Sequence, residues 1–165
     1  ACLPKVLELW GPDPHSEEWS VYWEEDGHTC KARLDSLSIR KKGEEDVKAL
    51  IIDLKGLRMI GTREWLFACK HHLYPLQAAH YTAGFCAAMN LGDPVEMTPG
   101  QLDEILSFIF VTVQKSEPFS VIIRAMTGEN LLKQLMKRKE IMSDIAARHS
   151  LGDWTNPTNS RILEA

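Results

Sequence analysis

The sequence predicts an α/β domain, a mixed β-sheet flanked by helices, and three observations carry that expectation. Strand-like segments come first, two helical stretches follow, and a second pair of strands precedes a closing helix. Val47–Lys55 is a short, nearly continuous apolar run ending in charge, the pattern of a strand buried on both faces. From about Gly128 to His149 the apolar residues recur at helical spacing, with Leu131, Leu132, Leu135, Met136, Met142 and Ile145 available for one face.

The elements follow in order. Leu3–Trp10 is apolar enough to pack, but Pro12 and Pro14 interrupt it, and the first eighteen residues carry no clear element. Trp19–Trp23 reads as a strand by its β-branched and aromatic content. Glu25-Asp26-Gly27 is a turn signal, and Thr29–Ser38 is the return strand of a hairpin. The residues from Lys41 to Asp46 form a polar loop before the buried strand. Thr62 is the expected N-cap of a helix over Arg63–His71. A second helix is expected from about Pro75 to Asn90, since Pro suits a first helical position and Gly92 a stop. Gly100–Ile105 is a turn or short helix, and Ser107–Lys115 and Phe119–Met126 are strands joined by a Ser-Glu-Pro turn. The tail after Gly152 is expected to be irregular, with Trp154 docking it.

Composition sets bounds. A chain of 165 residues fits one domain with a sizeable core, here taken as a single domain over 1–165 with 153–165 as its irregular tail. It opens on Ala1 rather than Met, so the expectation is a domain cut from a longer protein, with N-terminal active-site residues missing. No segment approaches the roughly 18 uncharged apolar residues of a membrane span, and no signal peptide opens the chain. Cys2, Cys30, Cys69 and Cys86 show no C-x-x-C spacing, which argues against zinc or an iron–sulfur cluster and for free thiols in a reducing cytoplasm. A net charge of −4 argues against a protein that coats DNA by charge alone. The basic groups that phosphate could meet are Lys31, Arg33, Arg40, Lys41, Lys42, Arg63, Lys70 and the run Lys133, Lys137, Arg138, Lys139; for most, a solvated face is the simpler account.

The chemistry concentrates on two neighbouring strands and a helix. Lys31-Ala-Arg-Leu-Asp35 precedes Leu50-Ile-Ile-Asp-Leu-Lys55, and Gln77-Ala-Ala-His-Tyr81 follows. Two carboxylates on adjacent strands can hold a hard divalent cation through oxygen. Strand alternation puts Asp53 and Lys55 on one face, so a cation-binding carboxylate lies beside an ammonium that can orient water or stabilise an oxyanion. Asp53 ends a buried run, where an unpaired carboxylate is costly. Gln77 and Tyr81, at i and i+4, share a helix face. His80 points elsewhere.

This ordered set resembles the PD-(D/E)XK nuclease superfamily and, within it, the RecE-type (exonuclease VIII) recombination exonucleases of phage and prophage. The matching pieces are Lys31–Asp35, Ile51–Lys55, Tyr74–Tyr81 and Phe108–Pro118, and the resemblance spans about Trp19 to Trp154. It implies a restriction-endonuclease-like core and a metal-dependent deoxyribonuclease, a 5′-to-3′ exonuclease on double-stranded DNA. Asp35, Asp53 and the Leu54 carbonyl would bind Mg2+ or Mn2+, Lys55 would act on the water or the developing charge, and Gln77 and Tyr81 would support the site. The resemblance also implies a ring-shaped homo-oligomer acting beside a single-strand annealing protein, for which Trp10, Trp19, Trp65 and Trp154 are candidate contacts. Two departures stand out. Gly56 replaces the Thr or Ser usual after Asp-x-Lys, and no upstream acid or His is fixed among Glu8, His15, Glu17, Glu18 and Glu24. The alternatives are an endonuclease of the same fold and a degenerate relative that binds DNA or a partner without cleaving. An Asp53–Lys55 ion pair of purely structural role predicts the same proximity, and metal dependence separates the two.

Overall fold

The computed structural model describes residues 15–41 and 47–152; the expectations for Leu3–Trp10, most of the polar loop before Val47, and the tail with Trp154 lie outside them. The chain runs β1 (His15–Glu25), β2 (His28–Lys41), β3 (Val47–Leu57), α1 (Thr62–His72), α2 (Tyr74–Ala88), a 3-10 turn (Pro94–Glu96), α3 (Pro99–Ile105), β4 (Leu106–Gln114), β5 (Val121–Ala125) and α4 (Gly128–Leu151). The five strands form one mixed sheet in sequence order, β1-β2-β3-β4-β5. Every neighbouring pair is antiparallel except β3–β4, which is parallel. A parallel pair requires a crossover, and α1, α2 and α3 supply it.

The hairpin β1–β2 closes through Asp26-Gly27, both at positive φ (49° and 77°), the two-residue turn whose twist matches its flanking strands. Both strands extend beyond the expected bounds, because pairing from His15↔Ser38 to Glu25↔His28 recruits residues with no strand signal of their own. Helix α2 is rich in small residues and sits close on this hairpin: a Cβ on Gly84 would lie 2.7 Å from the Trp23 ring and 3.0 Å from Val21. Phe85, Phe108 and Phe110 are fully buried between helices and sheet, each contributing roughly 1.5–3 kcal/mol by area.

Several boundaries differ from expectation for identifiable reasons. Thr62 is the first helical residue rather than the N-cap, because the first helical bond runs from Trp65 N–H to Gly61 O at 2.9 Å. α2 ends at Ala88, before Asn90. Leu91 N–H bonds Cys86 O at 3.0 Å while Asn90 takes the left-handed φ of 53°, so Asn90 fills the role assigned to Gly92. β5 starts at Val121 because Phe119, φ 50°, belongs to the turn and donates back to Ser116 O. On α4 the buried line is Leu131, Leu135 and Arg138, and Met136 is exposed. Trp19 and Trp65 pack against the core.

Two ladders end where the chemistry lies. β2 and β3 pair only from Lys41↔Val47 to Ser36↔Ile52. Beyond that point β2 continues with β1 alone, as far as His28, and β3 continues with β4 alone, as far as Leu57↔Gln114. The two strands part between Asp35 and Asp53, the next residues in register, and leave a notch in the sheet.

Candidate active site

Each predicted residue can be followed to this notch. Asp35 is exposed, and its Oδ2 accepts from Leu54 N–H at 2.8 Å, taking the place of the missing ladder bond. In an extended strand a residue's N–H and C=O project to the same side, so the Leu54 carbonyl faces the opening as well. The Leu54 side chain is exposed.

Asp53 is 1% exposed. Its Oδ2 lies 2.5 Å from Lys55 Nζ, within ion-pair reach, yet no donor is aligned on it as a hydrogen bond. The Lys55 ammonium is instead hydrogen-bonded to Gln77 Oε1 at 2.8 Å and sits 4.6 Å from the centre of the Tyr74 ring. Burial pushes the Asp53 carboxyl up to about 6, opposed by Lys55 and reinforced by Asp35. A carboxylate held this deep is ionised at neutral pH at a cost.

The helix completes the group. Gln77 Nε2 donates to Tyr81 Oη at 2.8 Å, so Lys55, Gln77 and Tyr81 form one chain from strand to helix. Burial raises the Tyr81 pKa, with Gln77 and Arg33 acting against it, and burial raises that of Tyr74. All five predicted side chains therefore belong to one connected neighbourhood. Sequence reasoning missed Tyr74, although it lies at i−3 from Gln77 and could have been found as a third member of that helix face.

Other expectations are corrected. Within the basic run on α4, Arg138 and Lys139 are not free cations, whereas Lys133 is exposed as expected of a solvated face. Arg138 is 6% exposed and forks onto Glu25 at 2.8 and 2.7 Å while its Nε donates to His80 Nδ1 at 3.0 Å; Lys139 meets Asp93 at 2.5 Å. His80, so engaged and with Nε2 3.0 Å from Lys31 O, makes no hydrogen bond to Lys55 among those found, although both border one cavity. Of the upstream acids, Glu24 accepts from Thr29, and Glu18, at φ 52° across from Asp35, turns out to meet Arg33 at 4.0 Å. Glu8 and the side chains of His15 and Glu17 lie outside the described residues. The Gly56 position is filled: a Cβ there would lie 2.3 Å from Lys115 Cε, so a neighbouring lysine stem covers the spot a Thr or Ser would take.

The donor chemistry fits a hard divalent cation. A buried carboxylate paired with an ammonium, a second carboxylate and a backbone carbonyl meet at one notch, and the donors are all oxygen. Among the described residues no group of three His, Cys, Asp or Glu could hold a metal, so this set suits an ion that keeps waters and substrate oxygens as its other ligands. A cavity of about 590 Å³, bordered by Lys55, Tyr74, Gln77, His80 and Arg138, opens beside it. A larger one of about 750 Å³ between α1, α2 and α4 lies away from the carboxylates.

No family model matches the chain, and no curated protein matches it by sequence. Its fold is similar to a solved structure described as a "Putative exonuclease" from Eubacterium rectale, with a TM-score of 0.53 and 18% identity. That match covers 91% of this chain and 57% of the other, so the chain spans little more than half the length of that protein. A second solved structure, SSO0001, matches with a TM-score of 0.41 and 15% identity over 84% of this chain and 55% of that one. At such identities the likeness is one of fold. Among the described residues, no helix is long and apolar enough to cross a membrane.

Proposed function

We propose that this chain is a metal-dependent deoxyribonuclease hydrolysing phosphodiester bonds. The observation that carries the reading is Asp53, a buried carboxylate ion-paired to Lys55 and standing across the notch from Asp35. The Asp53–Lys55 ion pair and the Asp35–Leu54 bond each have a structural account of their own, and metal-dependent cleavage is what separates that account from the catalytic one.

Asp35, Asp53 and the Leu54 carbonyl would hold Mg2+ or Mn2+. Such a cation supplies positive charge against the scissile phosphate and acidifies an attacking water. The rest falls to the protein. Lys55, held by Gln77 and the Tyr74 ring, aims an ammonium at the charge that develops on phosphate oxygens. Gln77 fixes that ammonium's position, and Tyr81 fixes Gln77.

Double-stranded DNA is the proposed substrate and 5′-to-3′ exonuclease action in recombination the proposed mode, on the motif resemblance together with a fold shared with a protein described as an exonuclease. Assembly into a ring, and work beside a single-strand annealing protein, belong to the same proposal. Enclosure would give processivity without strong charge contacts, in keeping with a net charge of −4.

The test is a labelled duplex incubated with magnesium, with manganese and with EDTA, using the parent, Asp53→Ala and Lys55→Ala. Metal-dependent cleavage lost in both variants is expected; cleavage that persists in both overturns the site. A circular duplex beside a linear one separates an endonuclease from an exonuclease. Light scattering on the active protein reads the ring, which a fully processive monomer would exclude.

A further inference from the structure

The exposed face of the β1–β2 hairpin has no role in the chemistry above, yet it leads straight to Asp35. On β2, Ala32 and Leu34 are buried while Lys31, Arg33 and Asp35 alternate outward. Across the ladder Tyr22 pairs with Lys31 and Ser20 with Arg33, so these four side chains share one face. Tyr22 is 61% exposed, unusual for a ring of that size, and Lys31 Nζ lies 5.1 Å from its centre. Arg33 is 62% exposed, and among the described residues its acidic contact is Glu18 at 4.0 Å, too long for a firm bond. Its charge is felt at the site, as the weakest of the influences on Tyr81, whose pKa burial raises.

Spacing gives the row a meaning. Alternate residues on a strand are about 6.7 Å apart, close to the separation of neighbouring phosphates along an extended nucleic-acid strand. Arg33 stands one such step from Asp35 and Lys31 two steps. We propose that this face is a track for the backbone of the cleaved strand: Arg33 and Lys31 grip the phosphates beside the scissile one, and Tyr22 offers a ring on which a base stacks. Stacking platforms interleaved with cations are the usual means of holding single strands. The track deepens the nuclease reading and rests on it. It also resolves an apparent conflict, since a chain of net charge −4 needs its cations placed locally if it is to hold DNA.

The experiment measures binding apart from cleavage. Fluorescence anisotropy of a labelled duplex with a single-stranded tail, in calcium instead of magnesium, is followed across a salt series. The proteins are the parent, Lys31→Ala/Arg33→Ala, Lys31→Arg/Arg33→Lys, Tyr22→Ala and the distant pair Lys133→Ala/Lys137→Ala. The alanine pair on β2 should weaken binding about tenfold and make the log–log salt slope less negative by about 1.4–1.8, at roughly 0.7–0.9 for each phosphate released. The charge-preserving pair should keep the slope, and Tyr22→Ala should weaken binding with the slope unchanged. Unaltered affinity and slope in Lys31→Ala/Arg33→Ala, or an equal loss in Lys133→Ala/Lys137→Ala, overturns the track whatever the cleavage assay shows. Salt-dependent binding that behaves as described, with no cleavage in any metal, overturns the nuclease reading and with it the role of the track in cleavage, leaving a strand-binding face alone.

Discussion

The Leu54 N–H donates to the Asp35 carboxylate at 2.8 Å, one residue past the point where β2 and β3 stop pairing. This bond does two things. It gives a backbone donor the partner it loses when the strands part, and it turns the Asp35 carboxylate towards the strand that carries Asp53. The notch is thus held open by a side chain of the site itself.

Asp53 sets a pH dependence. Its pKa rises on folding from 3.8 to about 6, so the folded state holds the proton more tightly than the unfolded chain. Its stabilising contribution is present in full below about pH 4 and is lost as pH rises through about 6. In EDTA at about pH 7.5, Asp53→Asn should therefore be more stable than the parent by on the order of 2–3 kcal/mol, with the gap closing near pH 4. Thermal melts across that range give the difference. Added magnesium should raise the parent's Tm at neutral pH and leave that of Asp53→Asn where it was.

Lys55 and Gln77 should separate by degree. Lys55→Met removes the ammonium, and the turnover rate should fall by about 10²–10³. Gln77→Ala leaves the ammonium over the Tyr74 ring but loosens it, and a loss of roughly tenfold is expected, in turnover more than in KM. Single-turnover cleavage at saturating duplex is the measurement. Equal losses in the two variants would mean that Gln77 does more than hold Lys55.

Arg138 should matter for stability and little for chemistry. Its fork onto Glu25 is 7% and 23% exposed at the two side chains, so removing the cation strands a half-buried acid and frees His80 Nδ1. Arg138→Ala should cost about 3–5 kcal/mol, roughly 10 °C in Tm. The exposed pair Lys139–Asp93 should cost less than about 1 kcal/mol when Lys139→Ala breaks it.

Two glycines should differ in their tolerance of a side chain. A Cβ at Gly56 meets only the far end of the Lys115 side chain, which can swing aside, so Gly56→Ser should leave Tm within about 2 °C. At Gly128 the added atom would stand 2.1 Å from the Pro99 carbonyl oxygen, part of the backbone. Gly128→Ala should lower Tm by several degrees, on the order of 1–3 kcal/mol of overpacking. Chemical denaturation of both gives the comparison.

What could be read from the sequence was whatever short-range periodicity encodes. Asp53 and Lys55 share a strand face because they are two residues apart, and Gln77 and Tyr81 share a helix face because they are four apart; no knowledge of the fold is needed for either. The turn at Asp26-Gly27 and the mixed sheet follow in the same way from local backbone preferences and from the order of elements. Tertiary structure decided the rest. Arg138 looked like one cation in a basic run, and its burial depends on Glu25, 113 residues away, and His80, 58 residues away. The parting of β2 from β3 at Asp35 and Asp53 is visible only in the folded ladders, where β2 goes on with β1 and β3 with β4. Burial acts the same way on Asp53, whose pKa of about 6 comes mainly from desolvation by the surrounding fold. Hydrogen bonding and desolvation depend on distance in space, and sequence spacing carries that distance only within a single strand or helix.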